Sequence, residues 1–155
     1  MILKIFRIII FFPLLLSCGF EIVSENQLRN FDIVNITASG DNRINFLLKN
    51  NLKYNKEKFD KKINLLLKTE KFKEIKEKNI KNEITKYSIT VKIKVDYSLT
   101  GDPIKGSFFV TKTGNYNVAS QYSQTINNEK NLITSLTDQI VEDVTNNLIT
   151  IINDL

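Results

Sequence analysis

The feature that most constrains the fold is a run of strictly alternating side chains between residues 86 and 99. Polar side chains occupy the even positions. The odd positions are apolar: Tyr87, Ile89, Val91, Ile93, Val95, Tyr97 and Leu99. Successive side chains of a strand point to opposite faces of a sheet, so the pattern predicts a long strand with one buried face and one wet face.

Shorter patterns predict three more strands. The first covers Phe31 to Ile36 and ends near Gly40, and the second begins at Lys61. The mostly charged stretch 71–82 is expected to be a loop or a protruding extension of that second strand. A fourth strand is predicted after the turn at Gly101-Asp102-Pro103; it contains Ile104, Phe108 and Val110, with Phe109 on the polar face, and a loop is expected around Thr113-Gly114-Asn115.

Two amphipathic helices are predicted to cover the apolar face of this sheet. The first carries a stripe of Ile44, Leu47, Leu48 and Leu52, with Ser39 or Asp41 as its N-cap. The second carries apolar residues spaced by four from Leu132 to Leu148, with Asn127 or Asn128 as its cap and Glu129 near the positive end of its dipole.

The predicted fold class is therefore α+β, in the chain order β-α-β-β-β-α. Two helices on one face of a four-stranded mixed sheet make a two-layer sandwich. The first helix can serve as a crossover, so the first two strands are expected to be parallel and the later, hairpin-linked strands antiparallel.

The N-terminus predicts export and lipidation. Lys4 and Arg7 precede a nine-residue apolar run that ends in Leu15-Leu16-Ser17-Cys18. This is a signal-peptide pattern, and it is too short for a transmembrane helix of about 20 residues. Its ending resembles the bacterial lipobox, in which the cysteine is acylated and becomes the mature N-terminus. The predicted organisation is a signal peptide at 1–17, a lipidated tether at 18–30 and one domain at 31–155.

Charge is distributed unevenly along the chain. The formal net charge is +5, and residues 49–86 hold thirteen lysines against six acids. Export argues against nucleic acid as the partner of these lysines, so an anionic lipid is the expected partner. The alternative is a lysine-rich surface that is merely solvated.

Catalytic chemistry is not expected. The sequence contains no histidine, and its one cysteine, Cys18, is assigned to the lipid anchor. The usual imidazole and thiolate ligands for a transition metal are therefore missing, and no glycine-rich phosphate loop is present. We expect a non-enzyme without a metal or another cofactor.

The chain resembles the lipopolysaccharide-assembly lipoprotein family LptE. The resemblance covers nearly the whole chain in the order of its elements. Its local features are Cys18-Gly19-Phe20, the alternation after a basic segment, Tyr116-Asn117-Val118 through Tyr122, and Asn128-Glu129 at the start of the last helix.

That resemblance implies a location and two partners. Family members are lipid-anchored on the periplasmic side of the outer membrane, plug the barrel LptD, assist its assembly and bind lipopolysaccharide. Gly19 after the cysteine, rather than aspartate, agrees with outer-membrane sorting. The implied lipopolysaccharide-binding residues are Lys76, Lys78 and Lys81, whereas Ile126 and Asn127 replace a base at the other half of the family's site.

The polar face of the long strand is the predicted barrel-facing surface, with Lys92, Lys94 and Ser98 as candidate contacts. The alternative function is a structural or adhesive outer-membrane lipoprotein of the same fold that has no role with lipopolysaccharide.

Overall fold

The computed structural model describes residues 30–52, 59, 61–101 and 105–154. The predicted signal peptide, Cys18 and most of the tether lie outside these residues, as do Asp102, Pro103 and Ile104. The described elements are β1 (Phe31–Ser39), α1 (Asn42–Leu52), β2 (Lys61–Lys78), β3 (Ile84–Leu99), β4 (Lys105–Asn117) and α2 (Tyr122–Asn153).

The strands form one sheet in the order β1-β2-β3-β4, which confirms the predicted fold class. β1 and β2 are parallel, as the α1 crossover requires, and the β2–β3 and β3–β4 pairs are antiparallel. β2 continues to Lys78 as part of this ladder, so most of the charged stretch 71–82 is the strand extension, and only residues 79–82 form a turn.

The core lies between the two helices and one face of the sheet, which we call the inner face. The odd positions of β3 from Ile89 to Val95 are fully buried there, as the alternation predicts. Leu48 of α1 and Val144 of α2 are also fully buried and belong to the same apolar cluster. Burial of this continuous apolar surface is the main stabilising contribution to a two-layer domain.

Asp41 is the N-cap of α1, one of the two predicted candidates. Its Oδ1 accepts hydrogen bonds from the backbone N–H groups of Arg43 at 3.0 Å and Ile44 at 3.1 Å. Gly40 precedes it with φ of 105°, and a Cβ there would lie 2.0 Å from the carbonyl oxygen of Thr69. This glycine therefore permits both the left-handed backbone and the close approach of β1 to β2.

The loop predicted around Thr113-Gly114-Asn115 is wrong, because β4 runs through these residues to Asn117. Gly114 pairs with Ile89 and lies beneath α2, where a Cβ would be 2.6 Å from Leu132 Cδ1. The glycine allows close packing of the helix on the strand, so it does not mark a turn.

The predicted cap of α2 is also wrong. The helix begins at Tyr122, with Gln121 at the N-cap position and no side-chain cap hydrogen bond. Asn128 lies inside the helix, where its Nδ2 donates to the carbonyl oxygen of Asn117 at 3.0 Å. Ile126 and Asn127 therefore also belong to the helix, and the added turns extend it toward the β2–β3 hairpin.

Candidate functional site

The far end of the β2–β3 hairpin, residues 76–83, is a structured turn that we call the hairpin tip. Asn79 organises it: its Oδ1 accepts from the backbone N–H of Lys81 at 2.9 Å and of Glu83 at 3.0 Å. Asn82 has φ of 65°, a conformation that asparagine tolerates better than most residues. These bonds fix the backbone of a short, exposed turn.

The three lysines implied by the resemblance all lie on this tip, and all are exposed. Lys78 Nζ donates to Asn82 Oδ1 at 3.0 Å. Within the described part of the chain, Lys76, Lys78 and Lys81 form no ion pair. The acidic neighbours are already engaged, since Glu77 pairs with Lys86 at 2.7 Å and Glu83 accepts from Asn79 Nδ2 at 2.7 Å. The tip therefore presents cationic groups that are available to an anion.

Two other lysines of the same charged stretch are part of the fold. Lys71 pairs with Asp41 Oδ2 at 2.7 Å, and Lys73 pairs with Glu129 Oε2 at 2.6 Å. These pairs join β2 to the N-cap of α1 and to α2. The structure thus divides the basic stretch into lysines that are paired within the domain and lysines that are unpaired at the tip.

Lys73 is the centre of a polar and aromatic cluster at the base of the tip. Its Nζ lies 4.4 Å from the ring centroid of Tyr87, which stacks on Tyr116 at 5.6 Å, and the Tyr116 hydroxyl donates to Glu129 at 2.7 Å. Burial alone would lower the pKa of Lys73, but the hydrogen bonds with Glu129 and Tyr116 outweigh it and raise the pKa to about 12.

Glu129 is held ionised by the same contacts. Burial would raise its pKa, but hydrogen bonds from Lys73 and Tyr116 outweigh this effect and lower it. The charge on Lys73 is therefore compensated within the domain at neutral pH. We assign this cluster to fixing the hairpin against α2, a role that the sequence reasoning missed when it treated Glu129 only as a helix-dipole residue.

A second candidate surface is the face of the sheet opposite the helices, which we call the outer face. The even positions of β3 lie on it, so Lys92, Lys94 and Ser98 are on the face predicted for them. Lys94 pairs with Asp96 at 2.8 Å, and Lys92 Nζ lies 5.0 Å from the ring centroid of Phe109.

The outer face is not purely polar. Three large apolar side chains lie on it and are about half exposed: Leu66 (49%), Phe72 (50%) and Phe109 (59%). Their cross-strand partners are Asp96, Thr90 and Lys94, respectively. The alternation placed Phe109 and Leu66 on this face, but sequence analysis missed Phe72. The available signal was an apolar residue at a position where the strand alternation calls for a polar one.

Phe109 and the surrounding charges enclose a depression of 210 Å³ on this face. Its lining is Lys68, Glu70, Lys92, Lys94 and Phe109. Within the described ranges, no group of three His, Cys, Asp or Glu residues is placed to hold a metal ion. Likewise, no described helix is both long enough and apolar enough to cross a bilayer.

Comparison with known proteins establishes the fold. Neither a family model nor a curated protein sequence matches this chain. Among solved structures, rare lipoprotein B from Shewanella oneidensis is similar, with a TM-score of 0.60 and 11% identity, over 77% of this chain and 97% of that one. Uncharacterized lipoprotein B from Nitrosomonas europaea has a TM-score of 0.51 and 14% identity, over 74% and 80% of the two chains. At these identities the likeness shows the fold, which is that of known bacterial lipoproteins.

Proposed function

We propose that this chain is a non-catalytic outer-membrane lipoprotein, anchored through acylated Cys18. It plugs an LptD-like β-barrel, assists the assembly of that barrel and binds lipopolysaccharide during its insertion into the outer leaflet. The observation that carries the proposal is the separation of two surfaces on one domain: an outer face that no described element covers, and a cationic tip at one end. The shared fold with rare lipoprotein B supports it.

The outer face has the mixed chemistry that contact with a barrel lumen requires. A lumen is largely polar, so lysine, serine and threonine side chains can remain hydrated or form hydrogen bonds there. Leu66, Phe72 and Phe109 add apolar area that a partner can bury, at about 25 cal/mol per Å². The helices, by contrast, already use their apolar stripes on the core.

The hairpin tip has the chemistry that phosphate groups require. A lysine ammonium is a compact charge that binds phosphate without demanding a fixed geometry. Each exposed lysine near anionic headgroups contributes on the order of 1 kcal/mol. Because exposed charges are screened over about 8–10 Å at ordinary ionic strength, this binding is expected to weaken as salt rises.

Charge reversal at the tip tests the lipopolysaccharide part of the proposal. We expect Lys78→Glu with Lys81→Glu to lower the affinity for lipopolysaccharide roughly tenfold or more, because two attractive charges become repulsive. The melting temperature should not change, since both side chains are exposed and neither forms an ion pair with a described carboxylate. The measurement is a titration of the purified protein with lipopolysaccharide at two salt concentrations.

The matched control makes the same change in net charge elsewhere. Lys62 and Lys105 are exposed at the opposite end of the sheet, so Lys62→Glu with Lys105→Glu should leave the affinity close to that of the native chain. Equal losses of lipopolysaccharide affinity in both double variants would indicate an effect of net charge rather than of the tip. An unchanged affinity in the tip variant would contradict a binding role for the tip and favour the structural or adhesive alternative.

A further inference from the structure

A cleft of 340 Å³ lies at the base of the hairpin tip, next to the connection between β4 and α2. Its apolar lining comes from Ile84, Val118, Tyr122 and Ile126. Ile84 is directly opposite Lys78 in the β2–β3 ladder. The cleft and the tip lysines are therefore neighbours, since residues opposite each other in an antiparallel pair have Cα atoms about 5 Å apart.

The charged side chains that line the cleft are already paired, and one of its hydroxyl groups is engaged. Lys73 and Glu129 are paired with each other at 2.6 Å, and Thr125 Oγ1 accepts from the backbone N–H of Ala119 at 2.9 Å. What remains available to a ligand is a mostly hydrocarbon and aromatic lining that also carries the hydroxyl groups of Tyr87, Ser120 and Tyr122. A free phosphate would gain little in this cleft, because Lys73 is already paired with Glu129.

We infer that the cleft receives an acyl chain of a phosphorylated lipid whose anionic groups are bound by Lys78 and Lys81. This inference rests on the proposed function and adds recognition of the acyl chain to it. The cationic tip favours an anionic lipid over a neutral apolar ligand, and the largely apolar cleft favours an amphiphile over a simple anion. Ile80, fully exposed on the turn between these two lysines, offers a further apolar contact at the tip.

The cleft offers a direct spectroscopic test. The sequence contains no tryptophan, so Tyr122→Trp places a single fluorophore at a largely exposed position of the lining. The intact lipoprotein, held in phosphatidylcholine vesicles, is titrated with lipopolysaccharide and with the same lipopolysaccharide after complete deacylation. We expect a blue shift of the tryptophan emission with the acylated form and no shift with the deacylated form.

Two controls test whether the emission shift comes from the cleft. Val34→Trp places the reporter at an exposed position of β1, at the other end of the sheet, and its emission should not shift. Ile126→Asn, added to Tyr122→Trp, should reduce the shift because it makes the lining polar. A melting curve of this second variant identifies any loss of folding, and the Tyr122→Trp titration does not depend on its outcome.

Either lipopolysaccharide or an anionic phospholipid could supply the acyl chain. Vesicles that contain phosphatidylglycerol in place of lipopolysaccharide distinguish these two lipids. A shift with either lipid supports the acyl-chain cleft, whereas a shift with phosphatidylglycerol alone contradicts the proposed lipopolysaccharide role. Absence of any shift, while lipopolysaccharide still binds through Lys78 and Lys81, would overturn the cleft and leave the proposed function standing. Absence of lipopolysaccharide binding together with absence of any shift would overturn both.

Discussion

Ile93→Asp is expected to unfold the domain or to lower its free energy of unfolding by several kcal/mol. Ile93 is fully buried at the centre of β3, and its cross-strand partners on the inner face are Thr69 and Val110, both buried. The new carboxylate would have no cation beside it, and burial of an unpaired charge costs several kcal/mol in a domain that has only about 5–15 kcal/mol to lose. Urea unfolding of the purified chain measures the effect.

Ile93 is a better position for this test than Val91, which lies two residues earlier on the same face of β3. Val91 is just as buried, but its cross-strand partners are Lys71 and Lys112, which could pair with a new aspartate. The matched control is Thr90→Asp, on the outer face of the same strand, which should cost less than about 1 kcal/mol. Similar unfolding curves for the Ile93 and Thr90 variants would contradict the assignment of the two faces.

Cys18→Ser is expected to remove the protein from the outer membrane and to leave an uncleaved precursor. The lipobox assignment requires the thiol for acylation, and cleavage follows acylation. Each buried CH₂ of an acyl chain contributes about 0.8 kcal/mol, and stable anchoring needs more than one chain. Cell fractionation with detection of the intact mass measures both results.

Ser17→Ala is the control for this variant. It keeps a small residue before the cleavage position and leaves the cysteine in place, so normal processing and outer-membrane recovery are expected. A Cys18→Ser protein of mature size in the outer-membrane fraction would contradict lipid anchoring through this residue.

The fold could be predicted wherever a local sequence pattern requires a particular environment, such as a buried face of a strand. The odd positions of β3 from Ile89 to Val95 needed a covered face, and the crossover through α1 allowed β1 and β2 to be parallel. Local patterns failed where a distant contact decides the structure. Gly114 resembles a turn residue, yet it is the position where α2 packs closely on β4. The start of α2 was missed because it has no side-chain cap hydrogen bond.

The candidate sites show the same limit. Sequence analysis found the basic stretch but could not separate Lys73 from Lys78, because their difference depends on Glu129, 56 residues beyond Lys73 in the chain. It predicted the faces of β3 correctly, yet it missed Phe72 on the outer face. The cleft at the base of the tip involves residues of β3, the β4–α2 connection and α2, and no local pattern brings these segments together.

The most direct test of the central claim is site-specific photo-crosslinking in cells. A photoreactive amino acid is placed at Lys92, Lys94 or Ser98 on the outer face, and at Gln139 or Asn146 on the exposed side of α2 as controls. The proposal predicts that the outer-face positions capture one outer-membrane β-barrel, much larger than this 17.9 kDa chain, and that the α2 positions capture far less. Capture of that barrel only from α2, or from neither set, would contradict the outer face as the surface that plugs a barrel.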